Sequence, residues 1–315
     1  MKHVIALDVG GTSMKAALMA EDHTLLRQER RPTPVSEGPE ATVAALVDFT
    51  AHLREYGERA YGRGALAAGL AVPGSVDEAT GTAVYAANIG WSDVPLRALV
   101  AERLGGVPVA VGHDMRTGGL AEARLGAGRG LDRFLFIALG TGIAAAIGID
   151  GGFEAGAHGG AGELGHVIVR RDGRPCNCGQ RGCLETVASA SAVARAWAEA
   201  SGDPGASAAD AADAVRRGDP RALAVWDEAV AALADGLTIG VQLIDPRALV
   251  LGGGLAESGE LLFAPLRREL AARLSHRAPL PSLVPAELGD RAGCLGAGLL
   301  AWDALARTTQ PTGTP

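Results

Sequence analysis

The stretch of sequence that decides the fold begins Glu163-Leu164-Gly165-His166 and, after nine further residues, continues as Cys176-Asn177-Cys178-Gly179-Gln180-Arg181-Gly182-Cys183-Leu184-Glu185. Three of the four cysteines of the chain lie in this segment. One histidine and three cysteines form a complete ligand set for a closed tetrahedral zinc site. Glu163 precedes the histidine, and Glu185 follows the last of these cysteines. The spacing therefore predicts a zinc-bound loop that holds two carboxylates rigidly against a polar substrate.

Composition narrows the classes of protein to which the chain can belong. Its 315 residues favour two lobes over one compact core. A net charge of −7 without a cluster of basic residues argues against nucleic-acid binding. No apolar run reaches the roughly 18 residues that a membrane span requires, and the N-terminus does not resemble a signal peptide. Clustered thiols of the metal-binding kind are typical of a reducing compartment, so we expect a cytoplasmic protein.

The pattern of apolar residues predicts repeated strand–turn–strand units. An apolar run at Val4–Leu7 ends at Asp8-Val9-Gly10-Gly11-Thr12, and a second strand follows over Met14–Met19. The same design recurs at Phe134–Leu139, Gly140-Thr141-Gly142 and Ala144–Ile149. Further strands are predicted at Ala67–Val72, Val107–Val111 and Ala248–Leu251, and helices at Pro39–Arg59, Leu96–Leu104, Ala188–Ala200, Leu223–Ile244, Leu261–Leu274 and Leu295–Ala306. These alternating elements predict an α/β protein.

These motifs resemble the signature of the ROK family (repressors, open reading frames and kinases), and the resemblance extends over about residues 3–305. It implies an α/β, two-lobed actin-like ATPase (ribonuclease H-like) fold with the active-site cleft between the lobes. A small lobe is expected from residues 1–113 together with a C-terminal helix at about 293–307. The large lobe, with the zinc motif, is expected from residues 114–292. A disordered tail is expected over residues 308–315, because its composition is polar and rich in proline and threonine.

The resemblance assigns nucleotide-binding roles to the Gly-rich turns. Glycine lets the backbone approach a phosphate closely and offers its N–H groups as donors. Asp8 is expected to hold Mg²⁺ through water. The two turns expected to bind the phosphates are Gly10, Gly11 and Thr12, and Gly140, Thr141 and Gly142. A third cluster, expected beside the adenosine, is Gly252, Gly253 and Gly254. A single Gly-rich turn also ends many ordinary strands, so the prediction depends on finding these turns together. Ala144-Ala145-Ala146 stands where family members carry more glycine.

Asp114 is expected to be the catalytic carboxylate. By resemblance it is the general base for the attacking sugar hydroxyl, and the alternative interpretation is an N-cap of the helix that follows. His113 precedes it, where family kinases carry asparagine. A histidine offers a different set of donors and acceptors from asparagine. Either His113 contacts the sugar and changes specificity, or it packs away from the sugar and leaves specificity unchanged.

The remaining site residues are also assigned by resemblance. His166, Cys176, Cys178 and Cys183 match structural zinc ligands, and Glu163 and Glu185 match carboxylates that bind sugar hydroxyls. His166 can bind zinc with one ring nitrogen and face the sugar with the other. Gly74 and Asn88 are further candidate sugar contacts, although Pro73-Gly74 is also a common turn. Cys294 is expected to be a buried apolar residue without chemistry.

Together these features predict an ATP-dependent sugar kinase that phosphorylates the 6-hydroxyl of glucose or a close relative. Candidate relatives are an aminohexose such as kanosamine, an N-acetylhexosamine and a glucose-like cyclitol. The expected cofactors are ATP, Mg²⁺ and structural Zn²⁺, and the resemblance implies a homodimer. The alternatives are a sugar-responsive repressor, which would carry an added DNA-binding domain before the first strand, and a non-catalytic sugar-binding protein.

Overall fold

The computed structural model describes residues 1–276 and 279–309. Its strands are β1 (His3–Val9), β2 (Ser13–Ala20), β3 (Leu25–Pro32), β4 (Ala68–Val72), β5 (Ser75–Asp77), β6 (Thr82–Ala86), β7 (Trp91–Val94), β8 (Val109–His113), β9 (Arg133–Leu139), β10 (Ile143–Ile149), β11 (Gly152–Glu154), β12 (Ala248–Gly252) and β13 (Ser282–Pro285). Its helices are α1 (Pro39–Tyr61), α2 (Leu96–Arg103), α3 (Asp114–Leu125), α4 (Glu185–Ala188), α5 (Ala190–Ser201), α6 (Ala208–Arg216), α7 (Pro220–Ile244), α8 (Glu260–Arg273) and α9 (Ala292–Thr309).

The chain forms two compact units. The first comprises Met1–Ala121, Gly156–Gly159 and the chain from Asp290 onward, and the second comprises Glu122–Ala155 and Gly160–Gly289. The sequence placed these boundaries after residues 113 and 292, whereas the first unit also includes residues 114–121, 156–159 and 290–292. The predicted disordered tail began at residue 308, but helix α9 continues to Thr309. Residues 310–315 lie outside the described residues.

The first unit is built on a five-stranded sheet with the order β3-β2-β1-β4-β8. Strand β1 pairs antiparallel with β2, so that Val9 lies opposite Met14 at the hairpin tip, and pairs in parallel with β4. Helix α9 packs against β1 and β4. Gly69 of β4 allows this approach, because a Cβ there would collide with the backbone carbonyl of Ala297. The apolar core includes Ile5, Leu7, Leu46, Phe49 and Leu70.

The second unit repeats this arrangement with the sheet order β11-β10-β9-β12-β13. Strands β9 and β10 form an antiparallel hairpin with Leu139 opposite Ile143, and β12 pairs in parallel with β9. The core includes Leu135, Ile137, Trp226, Leu233 and Leu249. Each sheet therefore contains an equivalent antiparallel hairpin with a Gly-rich turn at its tip, which confirms the repeated strand–turn–strand units. None of the helices in the described part of the chain has the length and apolar character needed to cross a bilayer.

Some elements differ from the sequence prediction. The helix predicted over Ala188–Ala200 is divided by Ser189, whose extended backbone ends α4 and whose hydroxyl accepts the N–H of Ala192 to cap α5. Strand β3 and the small antiparallel sheet β5-β6-β7 were not predicted. Their residues are largely exposed or partly buried, so they lack the continuous apolar run that marks the central strands.

Candidate active site

The predicted phosphate turn of the first unit lies where β1 meets β2. The N–H of Gly10 donates to the carbonyl of Ser13 at 3.0 Å, and the Thr33 hydroxyl donates to the carbonyl of Gly10 at 2.6 Å. The amide of Asn88 lies against Gly11, because a Cβ on Gly11 would be 3.4 Å from the Asn88 Nδ2. The structure therefore brings Asn88, a predicted sugar contact, next to the predicted phosphate turn. Gly74 lies elsewhere in this unit, against Tyr85 in the small sheet.

Asp8 lies near the end of β1 and is largely buried. Burial raises the pKa of the Asp8 carboxyl, while Lys15, whose Nζ lies 3.8 Å from Oδ2, acts in the opposite direction. Gly293 leaves room for this carboxylate, because a Cβ at that position would collide with it. Carboxylate oxygens are of the type that Mg²⁺ binds, and the role of Asp8 in holding this ion stays a prediction.

The predicted catalytic residue begins a helix directly after a strand. Asp114 is the first residue of α3, and the N–H of Met115 donates to its Oδ1 at 2.6 Å. The N–H of His113, the last residue of β8, donates to Glu78 Oε1 at 3.2 Å. The Nε of Arg116 donates to the same carboxylate oxygen at 2.9 Å, and its Nη1 donates to the carbonyl of Gly159 at 3.3 Å. The junction between strand and helix is thus held by an almost fully buried arginine.

Neither Glu78 nor Arg116 was identified from the sequence. The only available signal was a charged residue two positions after Asp114, in a helix whose first turns are otherwise mostly small or apolar. Glu78 is distant in sequence and reaches the junction only through the fold. The pair fixes the backbone of His113 and the first turn of α3, so its effect on Asp114 is one of positioning.

His113 is uncharged at neutral pH. Its side chain is only 14% exposed, and burial, reinforced by the charge of Arg116, lowers its pKa to about 4. Its Nδ1 lies 3.5 Å from Asp114 Oδ1 without hydrogen-bonding geometry. The ring can therefore offer one donor and one acceptor, but no positive charge.

The low pKa of His113 predicts a pH dependence of stability. Between pH 4 and 6.5, the ordinary pKa of histidine, the His113 ring binds a proton in the unfolded chain but not in the folded chain. The free energy of unfolding therefore falls as the pH is lowered through this range. The contribution is at most roughly 3.5 kcal/mol, since one pKa unit corresponds to about 1.4 kcal/mol. Urea unfolding at several pH values between 4 and 7.5 measures it. His113→Asn is expected to remove this component, and an unchanged slope in that variant would contradict the assignment.

The predicted zinc ligands of the second unit converge. One ligand atom from each of His166, Cys176, Cys178 and Cys183 lies within 4.8 Å of all the others. The Nδ1 of His166 is 3.5 Å from the Cys176 sulfur, and the sulfurs of Cys178 and Cys183 are 3.6 Å apart. A tetrahedral zinc site with Zn–S bonds of about 2.3 Å has S···S edges of about 3.8 Å. The donor set and its spacing therefore fit a structural zinc ion bound by three sulfurs and Nδ1.

The loop that carries the cysteines is stabilised by its own backbone. The N–H of Cys176 donates to the carbonyl of Gln180 at 2.8 Å, and that of Gly179 returns to Cys176 at 3.0 Å. Gly182 has a φ of 74°, and a Cβ there would collide with the carbonyl of Arg170. Burial raises the pKa of the Cys176 thiol to about 12. The loop thus brings the sulfurs together, while a metal ion would be needed to deprotonate the Cys176 thiol.

Both predicted sugar-binding glutamates lie beside this cluster. The second ring nitrogen of His166, Nε2, is 3.7 Å from Glu163, and its Nδ1 is 3.7 Å from Glu185. The Cys176 thiol donates to Glu185 Oε1 at 3.2 Å. With Nδ1 as the zinc ligand, Nε2 lies on the side of Glu163. The sugar contact of His166 stays a prediction.

Glu185 also reaches the second phosphate turn. A Cβ on Gly142 would lie 2.8 Å from Glu185 Oε2, so only glycine leaves room for this carboxylate. The third Gly cluster approaches the same turn, because Gly253 has a φ of 87° and packs against the backbone of Leu139. The N–H of Leu255 donates to the Leu139 carbonyl at 3.1 Å. The predicted metal, sugar and nucleotide residues of the second unit therefore lie side by side.

Comparison with known proteins indicates the same family as the sequence motifs. The ROK family model matches residues 4–304. The chain is 34% identical to the glucokinase of Thermotoga maritima, over 93% of this chain and 95% of that protein. It is 33% identical to the kanosamine kinase of Amycolatopsis mediterranei, over 94% of this chain and 95% of that protein. A ROK family glucokinase from Streptomyces griseus, in complex with glucose and AMPPNP, superposes with a TM-score of 0.81, 32% identity and coverage of 96% and 99%.

Relatives with a different role also match. The xylose repressor of Bacillus subtilis is 27% identical over 93% of this chain and 75% of the repressor. The architecture is that of the two-lobed actin-like ATPases, which confirms the predicted fold class. The chain belongs to the ROK family.

Proposed function

We propose that this protein is a sugar kinase that transfers the γ-phosphate of ATP to the 6-hydroxyl of glucose or a close relative. The observation that carries the proposal is the position of Glu185. This carboxylate contacts Cys176 and His166 of the metal cluster and also borders Gly142 of the second phosphate turn. Phosphoryl transfer to a sugar requires the sugar hydroxyl and the phosphate to lie close together. Glu185 joins a predicted sugar-binding element to a predicted phosphate turn. The glucokinase relatives support the same activity.

Asp114 is the proposed general base. The transition state of phosphoryl transfer is loose, so the base mainly orients the attacking hydroxyl and accepts its proton late. The sugar oxygen forms the new bond to phosphorus, and ADP leaves with the electron pair of the broken bond. Asp114 is 37% exposed, so its carboxylate is accessible to a ligand, whereas the Arg116–Glu78 pair holds the start of its helix. Its position as the first residue of α3 is compatible with both interpretations made from the sequence.

The nucleotide and metal assignments belong to the same proposal. Backbone N–H groups of the two Gly-rich turns bind the phosphates, and Asp8 holds hydrated Mg²⁺, which neutralises phosphate charge when bound. Gly252, Gly253 and Gly254 border the adenosine. The zinc ion is structural and fixes His166, Glu163 and Glu185. A homodimer in the cytoplasm completes the proposal, and light scattering of the purified protein tests the dimer.

A sugar panel tests the activity and identifies the substrate. ADP release with Mg-ATP is measured for glucose, mannose, N-acetylglucosamine, N-acetylmannosamine and kanosamine. Turnover of at least one sugar is expected, and highest turnover of glucose would mean that His113 is compatible with ordinary glucokinase specificity. Preference for another sugar, reversed toward glucose in His113→Asn, would assign the choice of substrate to His113. Sugar binding without ADP release from any sugar would contradict the kinase proposal and favour a sensor or repressor.

Gly142→Ala tests the role proposed for Glu185. The backbone of Gly142 does not require positive φ, so the methyl group is accommodated by moving the end of the Glu185 side chain, and stability is expected to change by less than about 1 kcal/mol. We expect kcat/KM for the sugar to fall about tenfold or more, because a misplaced positioning group weakens transition-state binding. Gly160→Ala is the matched control, since its Cβ would meet nothing within 4 Å. If Gly142→Ala is as active as Gly160→Ala, Glu185 has no role in sugar phosphorylation.

A further inference from the structure

The end of the cysteine loop (residues 176–183) pairs with the chain that follows His166. The N–H groups of Val169 and Arg170 both donate to the carbonyl of Gly182, at 2.9 and 3.1 Å. A Cβ on Gly182 would collide with the carbonyl of Arg170, so the two backbones are in close contact. Cys183, a predicted zinc ligand, follows Gly182 directly. A displacement of Arg170 would therefore move a predicted zinc ligand.

The side chain of Arg170 fastens this part of the chain to helix α7. Its Nε donates to Glu228 Oε1 at 2.6 Å, and its Nη1 donates to Asp235 Oδ2 at 2.7 Å. Glu228 and Asp235 lie about two turns apart on α7, so one guanidinium reaches both carboxylates. The same Nη1 donates to the carbonyl of Val169 at 2.8 Å. The Arg170 side chain is 30% exposed, so its ion pairs are screened less than fully exposed pairs.

Asp235 is itself held from a second helix. The Nε of Arg273, the last residue of α8, donates to Asp235 Oδ1 at 2.7 Å. Arg273 is fixed in turn by the carbonyls of Glu269 and Ala231, at 3.1 and 3.3 Å. The Asp235 carboxylate thus uses one oxygen for each arginine. Its orientation toward Arg170 is therefore set by the packing of α8 on α7.

The next residue of α7 contacts the other side of the same backbone pairing. Leu184 lies between Cys183 and Glu185 and is fully buried. A Cβ on Gly236 would be 2.6 Å from Leu184 Cδ2, so the leucine packs directly against α7 at this position. Two consecutive residues of α7, Asp235 and Gly236, therefore hold the two paired segments that lead to the zinc ligand and to Glu185.

We infer that Arg170 is a positioning residue of the zinc and sugar site. With Asp235 it holds the chain beside Cys183 and Glu185 in the arrangement that binds the metal ion and the sugar. Residues that orient metal ligands raise metal affinity, because the loop then needs less ordering when the ion binds. The inference rests on the proposed function for its effect on the sugar, whereas its effect on the metal is independent of that function.

Zinc affinity tests the inference directly. Arg170→Gln removes the charge that contacts both carboxylates, and competition with a chromophoric chelator measures Kd for Zn²⁺. We expect Kd to rise about tenfold, the lower end of the range for residues that orient metal ligands. Arg170→Lys should recover part of the affinity, and Asp235→Asn should weaken binding in the same direction. Arg247→Gln is the matched control, since it breaks an exposed ion pair with Asp132 in the same unit and should bind zinc like the wild type.

Thermal unfolding separates positioning from a general loss of stability. Zinc raises the melting temperature by an amount that depends on its affinity for the folded chain. We therefore expect a smaller zinc-induced rise in Arg170→Gln than in the wild type. An unchanged Kd for zinc, with the melting temperatures of the zinc-free and zinc-loaded forms lowered equally, would overturn the inference.

Kinetics of the zinc-loaded protein test the part that concerns the sugar. Arg170→Gln is expected to raise KM for the sugar several-fold and to change kcat little, because Asp114 lies in the first unit and keeps its own contacts. An unchanged KM would refute the effect on the sugar. Weaker zinc binding in a protein that releases no ADP with any sugar would contradict the proposed function and support the role of Arg170 at the metal site.

Discussion

Asp114→Asn is expected to lower kcat by about 10²–10⁴-fold, the usual contribution of a positioned general base. Asparagine keeps an oxygen in place of Oδ1, so the hydrogen bond from the N–H of Met115 and the start of α3 are expected to survive. The variant loses only the ability to accept the proton of the sugar hydroxyl. ADP release measures turnover, and isothermal titration calorimetry measures sugar binding, which should change little.

A matched variant separates catalysis from the loss of one negative charge. Asp48 lies on the exposed face of α1 in the same unit, and Asp48→Asn should keep wild-type turnover. If Asp114→Asn keeps more than about a tenth of the wild-type kcat, Asp114 is not the general base. If turnover is lost together with the melting transition, the N-cap interpretation from the sequence is favoured.

Cys178→Ser is expected to lose zinc and, with it, much of the stability. A closed site bound by three thiolates and one imidazole contributes directly to folding free energy. The Cys178 side chain is exposed, so its replacement leaves no core cavity, and the loss of stability reports on the metal. We expect the melting temperature to fall by about 10 °C, which corresponds to roughly 3–5 kcal/mol. Metal analysis and thermal unfolding of the same preparations measure both effects.

Cys294→Ser is the matched control for the zinc variant. Cys294 is buried in α9, as the sequence predicted, and its thiol donates to the carbonyl of Lys15 at 3.3 Å, outside the metal cluster. This variant should keep one zinc per chain. Treatment of the wild type with a chelator should reproduce the lower melting temperature of Cys178→Ser. A stable, zinc-free and fully active Cys178→Ser variant would refute the structural zinc site.

The central architecture could be predicted from the sequence because its signals are local. A continuous apolar run followed by glycine and threonine marks β1 and β9, and both hairpins are present with these turns at their tips. The cluster of His166 with the cysteines was predicted from their spacing, because three sulfurs and one imidazole are a donor set that fits zinc. The roles of Asp114 and Glu185 as catalytic and binding groups remain predictions that the variants above test, and the role of Glu163 also remains a prediction.

Other features could not be predicted, because they depend on partners distant in sequence. Strand β3 is rich in charged residues and pairs at the edge of its sheet, where one face is exposed to solvent. The pair of Glu78 with Arg116 joins residues 38 positions apart, and neither position carries a motif. A cavity of the second unit is lined by Thr141 of the second Gly-rich turn, Cys176 of the cysteine loop and Arg195 of α5. Such combinations arise only when the chain is folded.

The sequence by itself determined which chemical groups this protein carries and the family to which it belongs, because the histidine, the cysteines, the carboxylates and the glycine turns are recognisable from residue type and spacing. Only the tertiary structure decided how these groups act on one another. The segment Leu164–His166 packs against β10 and Ile168 pairs with Cys183, so Glu185, two residues further on, reaches Gly142. His113 is neutral because burial removes its solvation and Arg116 adds a positive charge nearby. Distances and desolvation are properties of the packed chain, so no local pattern contains them.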